Sequence, residues 1–322
     1  MMKPKVFVTR HLPEAAMQKL QSACEVEIWD EEFPPPYDLI VEKVADKAGL
    51  LCLLTDQIDV NLMAAAPNLK VISQVAVGFD NIDVVAATKR GIAVGNTPGV
   101  LTDATADFAF TLLMAAARRV GEAIDYVRDG KWETWGLTLL LGQEIHAATL
   151  GIVGLGRIGR AMAKRARGFN MKVIYHSRSR KPELEEMLGV EYRELDDLLR
   201  EADYISLHLN LSDETRGLFD ARAFSLMKPN AILINTARGP IVDSEALYLA
   251  LKTGQIAYAA LDVTDPEPLP VNDKLLTLPN LIVVPHIASA TVASRTQMSQ
   301  MAVRNLIAGV HGEKLPFPVN AV

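Results

Sequence analysis

Cysteine is almost missing from this chain of 322 residues, which carries only Cys24 and Cys52. Two cysteines cannot build a disulfide framework, and these two lack metal-ligand spacing. A reducing compartment, the cytoplasm, and a site without metal are therefore expected. Aromatic residues are scarce at 6%, so the core is expected to come from Ala, Leu and Val, as in α/β proteins. Excess positive charge is also missing. The formal net charge is −6 and the pI about 5.6, which argues against a broad nucleic-acid surface. No stretch approaches the ~20 apolar residues of a membrane span. The most apolar long segment, Phe108 to Ala117, follows Asp103 and Asp107 and precedes Arg118-Arg119, so it reads as a buried helix. The N-terminus, MMKPKVFVTRH, has no apolar run before Arg10 of the kind a secretory signal needs.

What the sequence does contain is alternation. Short apolar runs at 5–9, 50–54, 70–77 and 92–94 read as buried strands, with helix-like segments such as Pro13–Ser22 and Asn61–Ala66 between them. Pro34-Pro35-Pro36 reads as a loop, because consecutive prolines supply no amide donors. Thr102 to Val120 reads as one long helix, with Thr102 as N-cap, Asp103 in the first turn and Arg118-Arg119 at the end. A second βα series follows, with strands at Thr149–Val153, Lys172–His176, Tyr204–Leu209, Ala231–Asn235, Ala257–Leu261 and Leu281–Val284, and a last helix from Thr291 to Val310. This length exceeds what one core usually serves. The expected fold is α/β, with two Rossmann-like, doubly wound parallel-sheet domains. The first is discontinuous and flavodoxin-like, 1–99 with 289–322, and would bind substrate. The second, 100–288, would bind a dinucleotide.

The dinucleotide expectation starts at Gly154-Leu155-Gly156-Arg157-Ile158-Gly159. A bare GxGxxG is weak. This one follows an apolar strand and opens a helix, the context in which glycines allow a tight turn and close approach to a pyrophosphate. The plainer alternative is an ordinary strand–helix turn. An NAD site normally places a carboxylate about 20 residues on, to hold the ribose 2′-hydroxyl. This chain has no Asp or Glu between Glu144 and Glu183. Ser177 stands at that place, with Arg178 and Arg180 beside it. A guanidinium binds a 2′-phosphate bidentately where a carboxylate would repel it, so NADPH is expected over NADH. The alternative is a basic loop that merely faces water.

Three further strand ends carry one polar group each: Arg238 in NTARG, Glu267 in DPEP after ALDV, and His286 in PHIAS. Reduction of a 2-oxo acid needs a cation for the carboxylate and carbonyl oxygen, a proton donor for the developing alkoxide, and a group that orients the donor. Arg238, His286 and Glu267 supply these in turn. Taken singly each reads as a surface charge, a turn residue or a capped histidine. Together, behind a dinucleotide fingerprint, they read as one site. Among the other histidines, His11, His146 and His311 read as loop or helix-end residues without partners. His208 reads as structural within its strand, and His176 lies at the edge of the cofactor loop.

These motifs together resemble the D-isomer-specific 2-hydroxyacid dehydrogenases over essentially the whole length. Finer segments, GLLCLLTDQID, VAVGFDNID, NTPGVLTDATAD and DGKWETW, are similar to the glyoxylate/hydroxypyruvate reductase branch. The resemblance implies a homodimer acting on a small 2-oxo acid. It implies that Arg238 binds substrate, that His286 donates the proton and that Glu267 pairs with it. It places backbone contacts to substrate at Val77 and Gly78, with Leu53, Ser289 and Trp135 on the same side. Thr236 binds the cofactor, Asp262 falls on its nicotinamide side, and a Trp matching Trp135 reaches the partner's site. Ala288 departs from the glycine common in relatives, and 137–147 differs from them. Other readings are a different 2-oxo acid or a dinucleotide-dependent binding protein of the corepressor type. Glu267 argues against the formate dehydrogenase branch, which carries Gln there. The length argues against phosphoglycerate dehydrogenases with an added regulatory domain, and the short C-terminus against corepressors, which carry long tails.

Overall fold

The computed structural model describes residues 2–322. The chain divides into two units, one running up to Leu101 and resuming at Ala290–Val322, the other Thr102–Ser289. In the first unit the elements are β1 (Lys5–Val8), α1 (Glu14–Ala23), β2 (Glu25–Ile28), α2 (Tyr37–Val44), β3 (Gly49–Cys52), α3 (Val60–Ala65), β4 (Val71–Gln74), α4 (Val84–Lys89) and β5 (Ala93–Gly95), joined by the last helix of the chain, α12 (Val292–Val310). The five strands are parallel in the order β2-β1-β3-β4-β5, the flavodoxin-like order. Strands β3 and β4 are buried at every position, as expected for a sheet covered on both faces. Gly49 is required by the packing of α12: a Cβ there would stand 2.7 Å from Val310 Cγ1 and 2.8 Å from Leu306 Cδ1. Phe7, Ile40, Leu50, Ile58, Leu62 and Ile72 fill the opposite side. Each such side chain contributes about 1.5–3 kcal/mol, against roughly 0–1 kcal/mol for an exposed ion pair, so packing holds this unit together.

The second unit runs α5 (Thr102–Ala117), α6 (Val120–Arg128), β6 (Thr149–Val153), α7 (Arg157–Ala166), β7 (Lys172–His176), α8 (Pro182–Leu188), β8 (Glu191–Tyr192), α9 (Leu195–Glu201), β9 (Tyr204–Leu207), α10 (Ala221–Leu226), β10 (Ile232–Asn235), α11 (Ser244–Lys252), β11 (Tyr258–Leu261) and β12 (Leu281–Val283). Its seven parallel strands are ordered β12-β11-β10-β9-β6-β7-β8. Counted from β6, this is the Rossmann order 3-2-1-4-5-6 with one further edge strand, and the order reverses between β6 and β9. Phe110, Leu113, Met162 and Tyr204 lie in the core cluster on one face; Leu198, Phe224 and Leu247 lie in the cluster on the other.

Several expectations are corrected. The long helix stops at Ala117, because Arg119 turns left-handed at φ 53° and a separate helix, α6, begins at Val120. The Gln143 amide takes the Ala117 carbonyl at 2.8 Å, and Arg119 ion-pairs with Glu122. Thr102 is the first residue inside α5, whereas Thr291 does cap α12, accepting from the Ser294 amide at 3.1 Å. The edge strands β2 and β8 escape a reading based on apolar runs, since EVEI alternates charge and β8 has two residues. His11 pairs with Asp30, and His146 with Asn170, so neither lacks a partner. Among the described residues no helix is long and apolar enough to cross a membrane. No group of three or more His, Cys, Asp or Glu among them is placed to hold a metal ion.

Candidate active site

Parallel register brings the second unit's strand ends level. Val153 pairs with His176 and Leu207, Asn235 with Leu207 and Leu261, and Leu261 with Val283. The residues that follow, Gly154, Ser177, His208, Thr236, Asp262 and Val284, therefore share one rim at the carboxyl edge of the sheet, where doubly wound folds bind ligands.

At the middle of this rim lies the glycine turn. Gly154 has φ +101°, and a Cβ there would stand 2.4 Å from the His208 carbonyl oxygen. A Cβ on Gly159 would stand 2.1 Å from Gly154 O, so the third glycine lets α7 lie against the strand end. Gly156, at the N-cap of α7, differs: its Cβ would meet nothing within 4 Å. That open space is the cradle a pyrophosphate needs, and the opening amides of α7, at Arg157, Ile158 and Gly159, lack a helical partner one turn back. Two strands along the same rim, Thr236 Oγ1 is buried without any hydrogen-bond partner. An open glycine cradle and an orphaned buried hydroxyl on the same rim fit a dinucleotide.

The loop after β7 is built from its own side chains. Ser177 Oγ donates to Ser179 O at 2.8 Å, and Tyr175 Oη donates to Glu185 Oε1 at 2.8 Å while accepting the Lys181 amide. Arg180 is tied bidentately to Glu185, with both bonds at 2.8 Å, and this, against a smaller effect of burial, holds the Glu185 carboxyl down at about 2. Arg178 is exposed on the same loop. The absence of a carboxylate in the sequence up to Glu183 hid this arrangement, because Glu185 reaches back from α8. Of the two arginines, Arg180 already has a carboxylate.

His286 adopts φ 53°, a rare backbone for a residue with a Cβ. Its amide donates to Asp262 O at 2.9 Å, and the Asp262 carboxylate accepts the Ile287 amide at 2.7 Å and the Ala288 amide at 2.9 Å. Asp262, 1% exposed, thus buckles the His286 turn; burial pushes its carboxyl up, against the pull of those two amides. Sequence reasoning assigned Asp262 only to the cofactor side. The turn places His286 Nδ1 2.6 Å from Glu267 Oε1. Burial would raise the Glu267 carboxyl. The His286 hydrogen bond and charge, the Thr264 amide and the Arg238 guanidinium outweigh it and hold it below its ordinary value. Arg238 itself is half-buried and donates to Ala237 O at 2.8 Å. Its loop is shaped by Asn235, whose Nδ2 donates to Arg238 O at 2.9 Å and whose Oδ1 accepts the Ala237 amide at 3.0 Å. Gly239 is obligatory, since a Cβ would fall 1.9 Å from Thr264 O. Asn235 and Gly239 went unassigned in the sequence, although both sit in the NTARG motif that flagged Arg238.

Because Glu267 is depressed from its ordinary 4.5 in the folded chain, its contribution to stability is present above that pH and is lost as pH falls through the lower folded value. Glu267→Gln is therefore expected to flatten the acid limb of the stability–pH curve below pH 4.5, read by chemical denaturation across pH. Parallel acid limbs for variant and wild type would contradict this.

The remaining expected residues are spread over both units. Leu53, Val77 and Gly78 lie in the first unit, in the loops after β3 and β4. Ser289, half-buried, is the last residue of the second. Trp135 is 77% exposed in the loop after α6.

Residues 110–288 match the family model described as D-isomer specific 2-hydroxyacid dehydrogenase, NAD binding domain. The chain is 52% identical over 320 residues to a glyoxylate reductase of Korarchaeum cryptofilum (strain OPF8), covering 99% of this chain and 96% of that protein. Among solved structures, it is similar to a Thermus thermophilus protein with a TM-score of 0.92 at 47% identity, covering 98% and 100% of the two chains. It is also similar to an NADPH-dependent glyoxylate/hydroxypyruvate reductase from Sinorhizobium meliloti in complex with NADP and malonate, with a TM-score of 0.88 at 33% identity, covering 99% and 100%.

Proposed function

The chain belongs to the D-isomer-specific 2-hydroxyacid dehydrogenase family, and on that premise we propose that it reduces small 2-oxo acids, glyoxylate to glycolate and hydroxypyruvate to D-glycerate, with NADPH preferred over NADH. The observation that carries the reading is the His286–Glu267 pair at 2.6 Å, on the same strand-end rim as the open glycine turn. In this account Gly154, Gly156, Arg157, Ile158 and Gly159 hold the pyrophosphate, Thr236 and Asp262 lie by the nicotinamide, and Ser177, Arg178 and Arg180 form the 2′-phosphate side. Bound NADPH supplies the hydride that C2 of the oxo acid receives.

The protein's own residues do the rest. Arg238 binds the substrate carboxylate and polarises the C2 carbonyl, the Val77 and Gly78 amides bind the same carboxylate, Leu53 and Ser289 contact the substrate, and Trp135 reaches the substrate of the partner subunit. Glu267 accepts at Nδ1 of His286, which fixes the ring and leaves Nε2 to deliver the proton to the developing alkoxide. Solvent then returns a proton to the ring. No net charge is left on the oxygen, and the product leaves as the 2-hydroxy acid.

An exposed apolar strip on α6 and the loop after it, with Val120, Ile124, Val127, Trp132, Trp135 and Leu141, supports a homodimer formed through this face. The two free, buried thiols suit the cytoplasm. The reading is tested by initial rates of NADPH and NADH oxidation with glyoxylate, hydroxypyruvate and pyruvate as acceptors. Faster NADPH oxidation with glyoxylate or hydroxypyruvate is expected. A preference for NADH would make Arg178 an ordinary surface charge, and no turnover with any acceptor would remove the proposed reaction. For the dimer, Trp135→Glu together with Ile124→Glu should give a monomer mass by light scattering, where an unchanged dimer would exclude this face.

A further inference from the structure

Backbone amides at Val77 and Gly78 cannot be tuned by their own side chains; each N–H shares a planar peptide with the preceding carbonyl, and what holds that carbonyl sets where the N–H points. The Ala76 carbonyl, in the peptide of the Val77 N–H, accepts the Thr97 amide at 3.0 Å. The Val77 and Gly78 carbonyls, one on each side of Gly78 Cα, are held by side-chain amides. Asn96 Nδ2 donates to Val77 O at 2.7 Å, and Gln74 Nε2 donates to Gly78 O at 3.4 Å. Gln74 is wholly buried, and both ends of its amide are engaged. Its Nε2 also donates to Asn81 Oδ1 at 2.8 Å, and its Oε1 accepts the Cys52 thiol at 3.0 Å. Asn81 in turn donates to Asp56 O at 2.7 Å and Leu53 O at 3.1 Å. Asp56, 2% exposed, anchors that loop by accepting the Thr9 hydroxyl at 2.5 Å and the Leu53 amide at 2.8 Å. On the other side, Asn305 Nδ2 donates to Asn96 O at 3.0 Å. No backbone hydrogen bond among the described residues uses the Val77 or Gly78 amide as donor.

We propose that Gln74, Asn81 and Asn96 are positioning residues for the substrate carboxylate: a relay of neutral amides that holds the two peptides flanking Gly78, at the Val77 and Gly78 carbonyls, and so fixes the Gly78 backbone and the direction of its N–H. This rests on the reading that Val77 and Gly78 receive that carboxylate. The chemistry explains the choice of side chain. An amide donor holds a carbonyl without bringing a charge, whereas Glu in place of Gln74 would repel Gly78 O and any bound anion. Substrate contact at Leu53 would be tied to the same relay through Asn81. None of the three side chains needs to touch a reacting atom.

The test uses the full-length protein with Gln74→Met, close in shape but without donors, and Asn96→Ala, a milder loop variant should the buried substitution prevent folding. Two readouts are taken: steady-state KM and kcat for glyoxylate, and calorimetric binding of oxalate to the enzyme–NADPH complex. The expected result is a rise of about tenfold or more in KM and a matching loss of oxalate affinity, with kcat and the NADPH Kd within about threefold of wild type. A fall in kcat or in thermal stability with KM and oxalate affinity unchanged overturns the proposal, since that is what a purely structural role gives. If wild type turns over no oxo acid, the functional reading fails, and oxalate binding alone decides the relay. Weaker oxalate binding in the variants then upholds it, and equal binding, or none by wild type, overturns it.

Discussion

His286→Gln is expected to lower kcat for oxo-acid reduction by roughly 10²–10⁴-fold, the usual contribution of a positioned general acid, while leaving the NADPH dissociation constant nearly unchanged. Glutamine keeps a polar group of similar reach but has no proton to give at neutral pH. The backbone argument separates chemistry from folding. The turn at 286–288 is fixed by main-chain bonds to Asp262 at 2.7–2.9 Å, which a change of side chain at His286 does not remove. Paired measurements of turnover and of NADPH fluorescence quenching check this. A variant with near wild-type kcat would take His286 out of the proton-donor role, and one that loses cofactor binding to the same degree as turnover would point to a collapsed turn.

Arg178→Asp carries the second large effect. A charge-assisted hydrogen bond to a phosphate contributes about 1.5–3 kcal/mol, and each 1.4 kcal/mol is tenfold in binding, so the KM for NADPH should rise about 10- to 100-fold. NADH has no 2′-phosphate for Arg178 to bind, so its KM should change little. Arg178 is chosen over Arg180 because Arg180 is already bonded twice to Glu185. Equal effects on both cofactors would contradict the assignment of this loop to the 2′-phosphate. If instead Arg180→Asp proves the more damaging change, the ion pair with Glu185 opens when the cofactor binds.

The architecture was legible because buried parallel strands read as apolar runs: LLC in β3 and YISL in β9 need no alternation to be seen. What stayed hidden were elements whose signal is weak for a physical reason. EVEI lies at a sheet edge with only partial burial, and the break at Arg119 depends on a left-handed residue and on a carbonyl capped from far along the chain, by Gln143 on Ala117. The strand-end residues Arg238, Glu267 and His286 stand out in the sequence, and the fold pairs two of them, His286 and Glu267, at 2.6 Å. Their support does not stand out. Asp262 looks in sequence like a cofactor residue, and only the fold turns its carboxylate toward Ile287 and Ala288. Glu185 and the Gln74–Asn81–Asn96 relay likewise act through contacts that close only in three dimensions.

The central claim, reduction of a small 2-oxo acid to the D-hydroxy acid at this site, is tested most directly by product analysis. The enzyme is incubated with NADPH and hydroxypyruvate, and the glycerate formed is resolved by chiral chromatography. D-glycerate formed in equal amount to the NADPH consumed is the predicted result. L-glycerate, or NADPH consumed with no glycerate formed, would contradict the account.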